Sequence, residues 1–215
     1  GGDLEERIAA VREREMNLRL RMLGGSNAGY ARITRRWWRP VLAKLRELDV
    51  ADRPLYFISS NLHSVTNLLT GIPRAHEDEV VRWVEREGPD YLREELTRFR
   101  EGRTEGAWEN FLYFCARSAL QPRPEEERAA GVTHMSSQTA LRVSAQVVPL
   151  DRLAPERIDP RLGEIDAGRL ARAEGVIVNI EYPLGIAAYN ILREITSSTD
   201  TLRGVYVLGK AATLN

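Results

Sequence analysis

Apolar residues recur at helical spacing through the first fifty positions. Leu4, Ile8, Val11, Leu18 and Met22 lie on one face among arginines and glutamates, and Gly24-Gly25 supplies a left-handed stop. Tyr30, Ile33, Trp37, Val41, Leu45 and Leu48 continue the period, with Pro40 expected to kink or restart the helix. These stretches predict a helical hairpin, an N-terminal extension over residues 1–50. From residue 51 the pattern changes. In "RPLYFISSNLHSVTNLLTG" a continuous apolar run, Leu55 to Ile58, meets a polar Ser-Ser-Asn turn and then apolar residues at helical spacing, which reads as strand, loop, helix. Residues 76–120 return to helix, clearest in the stripe Trp108, Phe111, Leu112, Cys115, Ala116 and Ala119. Pro122, Pro124 and three consecutive glutamates mark residues 121–131 as a solvated linker.

Beyond the linker the pattern is β-rich. Leu141, Val143, Ala145 and Val147 alternate with Arg142, Ser144 and Gln146, which predicts a half-buried strand over Thr139 to Val147. A loop punctuated by Pro and Asp follows. Val176 to Ile180 then reads as a buried strand, Glu181 to Gly185 as a turn, Ile186 to Ile195 as a helix, and Val205 to Leu208 as a second strand. This is a βαβ unit with a parallel pair, so helices must cover both faces of the sheet. The predicted class is α/β: a partial mixed sheet with one βαβ unit, an N-terminal helical extension, and a domain over residues 51–215 interrupted by a helical insertion at about 76–120.

Composition narrows the function classes. With 215 residues and 43% hydrophobic content the chain can bury a sizeable core. Lys+Arg 31 balances Asp+Glu 31, so no global field recruits nucleic acid or an anionic membrane, and neither is an expected partner. Cys115 stands alone in an apolar pattern, which removes a disulfide framework and a thiolate metal site and makes a reducing cytoplasm the expected setting. No apolar run reaches about 18 residues, the length a membrane helix needs. Only two of the 31 basic residues are lysines, Lys44 and Lys210, which draws attention to the second.

Ligands of open α/β sheets collect beyond the carboxyl ends of parallel strands. Three such ends are legible: Ser59-Ser60-Asn61-Leu62-His63, Tyr182-Pro183-Leu184-Gly185 and Gly209-Lys210-Ala211-Ala212. Two precede helical patterns whose first N–H groups favour anions. Ser60, Asn61, His63, Tyr182, Gly185, Gly209, Lys210 and Ala211 are therefore the candidate phosphate- and substrate-binding residues; no catalytic residue is assigned. Each has a plainer reading, His63 as a surface loop residue, Lys210 as an exposed lysine, and the glycines as turn formers. The Trp37-Trp38 pair among arginines could stack on nucleobases, yet Trp37 fits the core stripe. "HEDE" at residues 76–79 reads as an acidic first helical turn rather than a metal site, and no metal or cofactor is expected.

With the three loops in this order the sequence resembles the nucleoside phosphorylase and nucleosidase superfamily, which includes purine nucleoside phosphorylases and AMP nucleosidase. "VIVNIEYPLGIAAYNILREI…LRGVYVLGKAATLN" is similar to the family segment in which a strand ends in a Gly-Met-Gly-type turn and the next strand ends in a Gly-Thr-Ala-Gly-type loop. "LYFISSNLHSVTNLL" resembles its opening strand and Gly-Asp-Pro-x-Arg loop, and the match covers roughly residues 54–71 and 139–215. The resemblance implies cleavage of the N-glycosidic bond of a purine nucleoside or nucleotide, with phosphate as a partner and a homo-oligomeric assembly. His63 stands where the family's first loop carries an arginine for phosphate, and Val207 where a later strand often carries another. Hydrolysis therefore stands beside phosphorolysis, and Lys210 restores a cation from another direction. In the family the chain goes on beyond this loop to the ribose- and base-gripping residues. The resemblance thus implies the N-terminal part of a longer protein, whose C-terminal remainder completes the site and without which the 215 residues are expected to be inactive. The rival expectation is a non-catalytic module on the same scaffold that senses a nucleoside or nucleotide or serves in oligomerisation.

Overall fold

The computed structural model describes residues 27–208, apart from Gln138 and Leu184. The first predicted helix and the Gly209-Lys210-Ala211 loop lie outside the described residues. Helix α1, Asn27–Glu47, runs unbroken through Pro40 instead of restarting there. Pro40 and Arg36, whose carbonyl loses its helical partner, both lie on the exposed face, where water can take the place of the missing N–H. On the other face Trp37, Trp38, Val41 and Leu45 are buried, and Trp37 Nε1 donates to Val143 O at 2.7 Å. The tryptophan pair is core, not a nucleobase platform.

The sheet has five strands: β1 Leu55–Ser59, β2 Thr133–Met135, β3 Ala145–Pro149, β4 Val176–Ile180 and β5 Leu202–Val207, in the order β2-β3-β4-β1-β5. β4, β1 and β5 are parallel, while β3 is antiparallel to β4 and to β2. The chain is thus α/β with a mixed sheet. Two of the expected details change. The βαβ unit leaves β4 and returns as β5, but β1 sits between them, so these strands share a neighbour instead of pairing with each other. The strand expected over residues 139–147 begins only at Ala145, because Thr139 bonds back in a turn to Arg142, whose φ of 49° breaks the extended run. Gln146, expected on a wet face, is buried, since a helix covers that side of the sheet as well.

Strand alternation divides the core. Leu55, Phe57, Ala145, Val147, Val176, Val178 and Ile180 face α1 and α9, Ile186–Ser198, which contributes Ile191 and Ile195. Val148 and Ile177 face the opposite way, toward Leu69 of α2, Leu62–Thr70. Gly71, at φ 63°, ends α2 and starts the short α3, Ile72–Ala75; a Cβ there would meet Arg157 O at 2.7 Å.

The predicted helical stretch resolves into α4 Glu77–Arg86, α5 Asp90–Arg100 and α6 Trp108–Ala119, which share a core of their own around Val80, Val84, Leu96 and Leu112. The expected linker holds a helix, α7 Pro124–Ala129. Pro at its start and Glu125, Glu126 and Glu127 in its first turn are helix-start signals, and they also look like solvated linker when read alone. The "HEDE" carboxylates open α4 as an acidic first turn; His76 Nε2 meets Glu126 at 2.8 Å and Arg123 meets Glu79 at 2.8 Å, tying α4 to α7. The last described helix before β4 is the short α8, Ala167–Leu170.

Candidate functional site

The parallel strands β4, β1 and β5 carry their carboxyl ends to one edge, and hydrogen bonds tie those ends together. Ser60 N donates to Ile180 O at 2.9 Å, and Leu208 N donates to Ser59 O at 2.8 Å. The end of β1, at Ser59 and Ser60, therefore touches the exits of both other strands. The helices that follow diverge. α2 leaves β1 onto one face of the sheet and α9 leaves β4 onto the other. Where neighbouring strands send their helices to opposite faces the turns splay apart, and a crevice opens between the strand ends. By that rule the place for one is between β1 and β4.

On the β4 side Gly185 turns into α9 at φ 56°, ψ −129°, a conformation open to glycine, and a Cβ placed there would meet nothing within 4 Å. Among the described residues no side chain caps α9, and amides at a helix start can take an anion. Tyr182, at 42% exposure, stands on the same turn. On the β1 side the situation differs. Asn61 Oδ1 accepts from His63 N at 2.9 Å and Ser64 N at 3.3 Å, so the cap already uses amides at the start of α2.

Ser60 turns inward. Its hydroxyl donates to Asn179 Oδ1 at 2.8 Å, Asn179 donates to Gln146 Oε1 at 3.0 Å, and Gln146 donates to Thr66 Oγ1 and Leu62 O. This buried chain fastens the floor of the crevice to α2. His63 is half-buried with Nε2 at 3.3 Å from Tyr113 O. Burial lowers its pKa, the Tyr113 carbonyl opposes that, and the nearby Arg117 cation lowers it further. At neutral pH it is an uncharged imidazole that can hydrogen-bond an anion without supplying charge.

The structure thus brings Ser60, Asn61, His63, Tyr182 and Gly185 to one edge of the sheet, while Gly209, Lys210 and Ala211 follow Leu208 outside the described residues. Two hollows flank this edge. One, of about 380 Å³, lies between α2 and α6 and is lined by Asn61, His63, Asn110, Phe114 and Arg117. The other, of about 320 Å³, is lined by Trp37, His134, Ser136, Ser137 and Thr139, beside the start of β3. Burial lowers the His134 pKa and the Glu181 carboxylate opposes that. Sequence reasoning missed both hollows. For the first a signal existed: Asn110, Phe114 and Arg117 repeat at helical spacing opposite the apolar stripe of α6. Among the described residues no three His, Cys, Asp or Glu side chains gather to hold a metal, and no helix is long and apolar enough to cross a membrane.

The whole chain, residues 1–215, matches the model of a family of unknown function, DUF6909. The chain belongs to that family. No curated protein and no solved structure matches it. The crevice and its two hollows are accordingly the best available guide to what this DUF6909 member does.

Proposed function

We propose that the chain is the N-terminal part of a nucleoside phosphorylase-like enzyme that cleaves the N-glycosidic bond of a purine nucleoside or nucleotide, with its substrate in the β1/β4 crevice. The observation that carries the reading is the divergence of α2 and α9 from adjacent parallel strands, with the start of α9, which no described side chain caps, at the same edge. In such chemistry negative charge builds on the departing base while the ribose gains oxocarbenium character, and the protein contributes positioning and fixed dipoles. The α9 amides and the Gly209-Lys210-Ala211 loop hold phosphate, Tyr182 borders the sugar, and water or phosphate attacks the anomeric carbon. The exposed apolar side chains of β5, among them Val207 at 67%, support a sheet that continues past this strand.

A second reading, a non-catalytic nucleoside sensor on the same scaffold, is favoured by the β1 turn, where Asn61 occupies the amides and His63 is neutral. Calorimetric titration of the full-length protein with adenosine and inosine tests the shared core of both readings. Saturable binding that Tyr182→Ala weakens about tenfold, a loss of about 1.4 kcal/mol, is expected. No binding of any purine nucleoside would overturn both. Release of free base by the longer protein of which this chain is the proposed N-terminal part, followed chromatographically with and without phosphate, separates enzyme from sensor.

A further inference from the structure

The hollow between α2 and α6 has more hydrogen-bond donors than acceptors. Arg117 is exposed on its wall and makes no hydrogen bond or ion pair with any described residue. Arg161, on the same wall, is already answered: its guanidinium grips the Asp159 carboxylate, and its Nη1 donates to Asn110 Oδ1 at 2.8 Å. That bond leaves the Asn110 NH₂ group without an acceptor among the described residues. The Ser64 hydroxyl, also on the wall, has none either. Glu127 lines an adjoining hollow together with Arg117, but forms no ion pair with it. The acceptors left on the wall are neutral: the remaining ring nitrogen of His63, and the Oδ1 of Asn67, whose NH₂ group lies 3.5 Å from Tyr113 O.

One unanswered guanidinium, one hydroxyl and one amide around a single cavity call for a ligand with several anionic oxygens on one centre. Phe114 adds a second requirement. It sits on the polar side of α6, lines the same cavity and is 61% exposed, where an aromatic ring offers its face for stacking. We propose that this hollow binds a phosphomonoester bearing an aromatic ring, with the phosphate on Arg117 and the ring against Phe114. The site goes beyond the crevice, because it uses α6 rather than the strand-end turns. It rests on the crevice reading only for the choice of a nucleoside ring as the probe. Asn61 and His63 border both, so a ligand here touches the same turn that opens the crevice.

Titration calorimetry on the whole chain, with inorganic phosphate, adenosine monophosphate and adenosine, tests it. The nucleotide should bind more tightly than either of the others. Arg117→Gln should weaken nucleotide and phosphate binding at least tenfold and leave adenosine unchanged. Phe114→Ala should erase the nucleotide's advantage over phosphate while phosphate itself binds as before. Both side chains are exposed, and melting curves confirm that the variants fold. Nucleotide affinity that survives Arg117→Gln, or that never exceeds that of adenosine, overturns the inference and leaves the crevice reading standing if adenosine binds. Arg117-dependent nucleotide binding without any adenosine binding leaves the inference standing, and the same result on the full-length protein removes the crevice reading.

Discussion

Asp159 has no exposed surface, and its carboxylate is held from two elements. Arg161 donates through Nε at 2.9 Å and Nη2 at 2.7 Å, and the Tyr113 hydroxyl of α6 donates at 2.6 Å. The Arg161 fork holds the carboxyl well below the usual carboxylate range against the opposing effect of burial. Burial, with the Asp159 bond second, pushes the Tyr113 phenol up to about 12. A depressed carboxyl pKa stabilises the fold above its unfolded value near 4, and that stability drains away as pH falls toward the folded pKa. The melting temperature of the wild type should therefore decline below about pH 4. Asp159→Asn should lower stability at pH 7 by about 3 kcal/mol, because it removes the charge that Arg161 answers, and should flatten the acid slope. A variant that keeps the wild-type slope would acquit Asp159. In the sequence this residue was one Asp in a punctuated loop. Its role depends on a helix 46 positions away, which no local pattern encodes.

At the scale of elements, local chemistry was read well where an element makes its own signal. β4 spans the residues expected of it, and β1 extends one residue beyond its apolar run; α2 begins at the Asn61 cap as the Ser-Ser-Asn turn implied. β2 was missed because three residues show no period, and α7 was taken for linker because its start signals double as solvated residues. Docking between elements was beyond reach. α1 meets the segment before β3 through the buried bond from Trp37 Nε1 to Val143 O, across 106 positions. Trp37→Phe keeps most of the ring and strands that carbonyl, so a loss of about 1 to 3 kcal/mol is expected in the urea unfolding free energy. An unchanged midpoint and slope would show that the bond does not hold α1 in place.

For the whole molecule, the order of strands leaves β5 at one end of the sheet with β1 as its one partner among the described residues. Val205, Tyr206, Val207 and Leu208 are exposed along it, and Ile186 and Tyr189 of α9 are exposed nearby in the chain. An apolar edge strand of this kind templates further pairing. The isolated chain should self-associate with rising concentration, and the double substitution Val205→Lys, Val207→Lys should shift its sedimentation toward the monomer. Wild-type chain that stays monomeric at high concentration would show that this edge does not pair.

The sequence by itself determined the class of fold, the buried faces of β1, β4 and α9, and the turns that end the parallel strands, because periodicity and turn chemistry are written in neighbouring residues. It also determined that the turns after β1 and β4 share an edge, since parallel strands present their carboxyl ends together. Only the tertiary structure decided that β1 lies between β4 and β5, that α2 and α9 diverge onto opposite faces of the sheet, and that Arg117 and Phe114 of α6 line one hollow with His63. A hydrophobic pattern states that a face must be covered. Which distant segment covers it follows from the packing of the whole chain, and the polar residues left facing one another across the gap are a product of that choice.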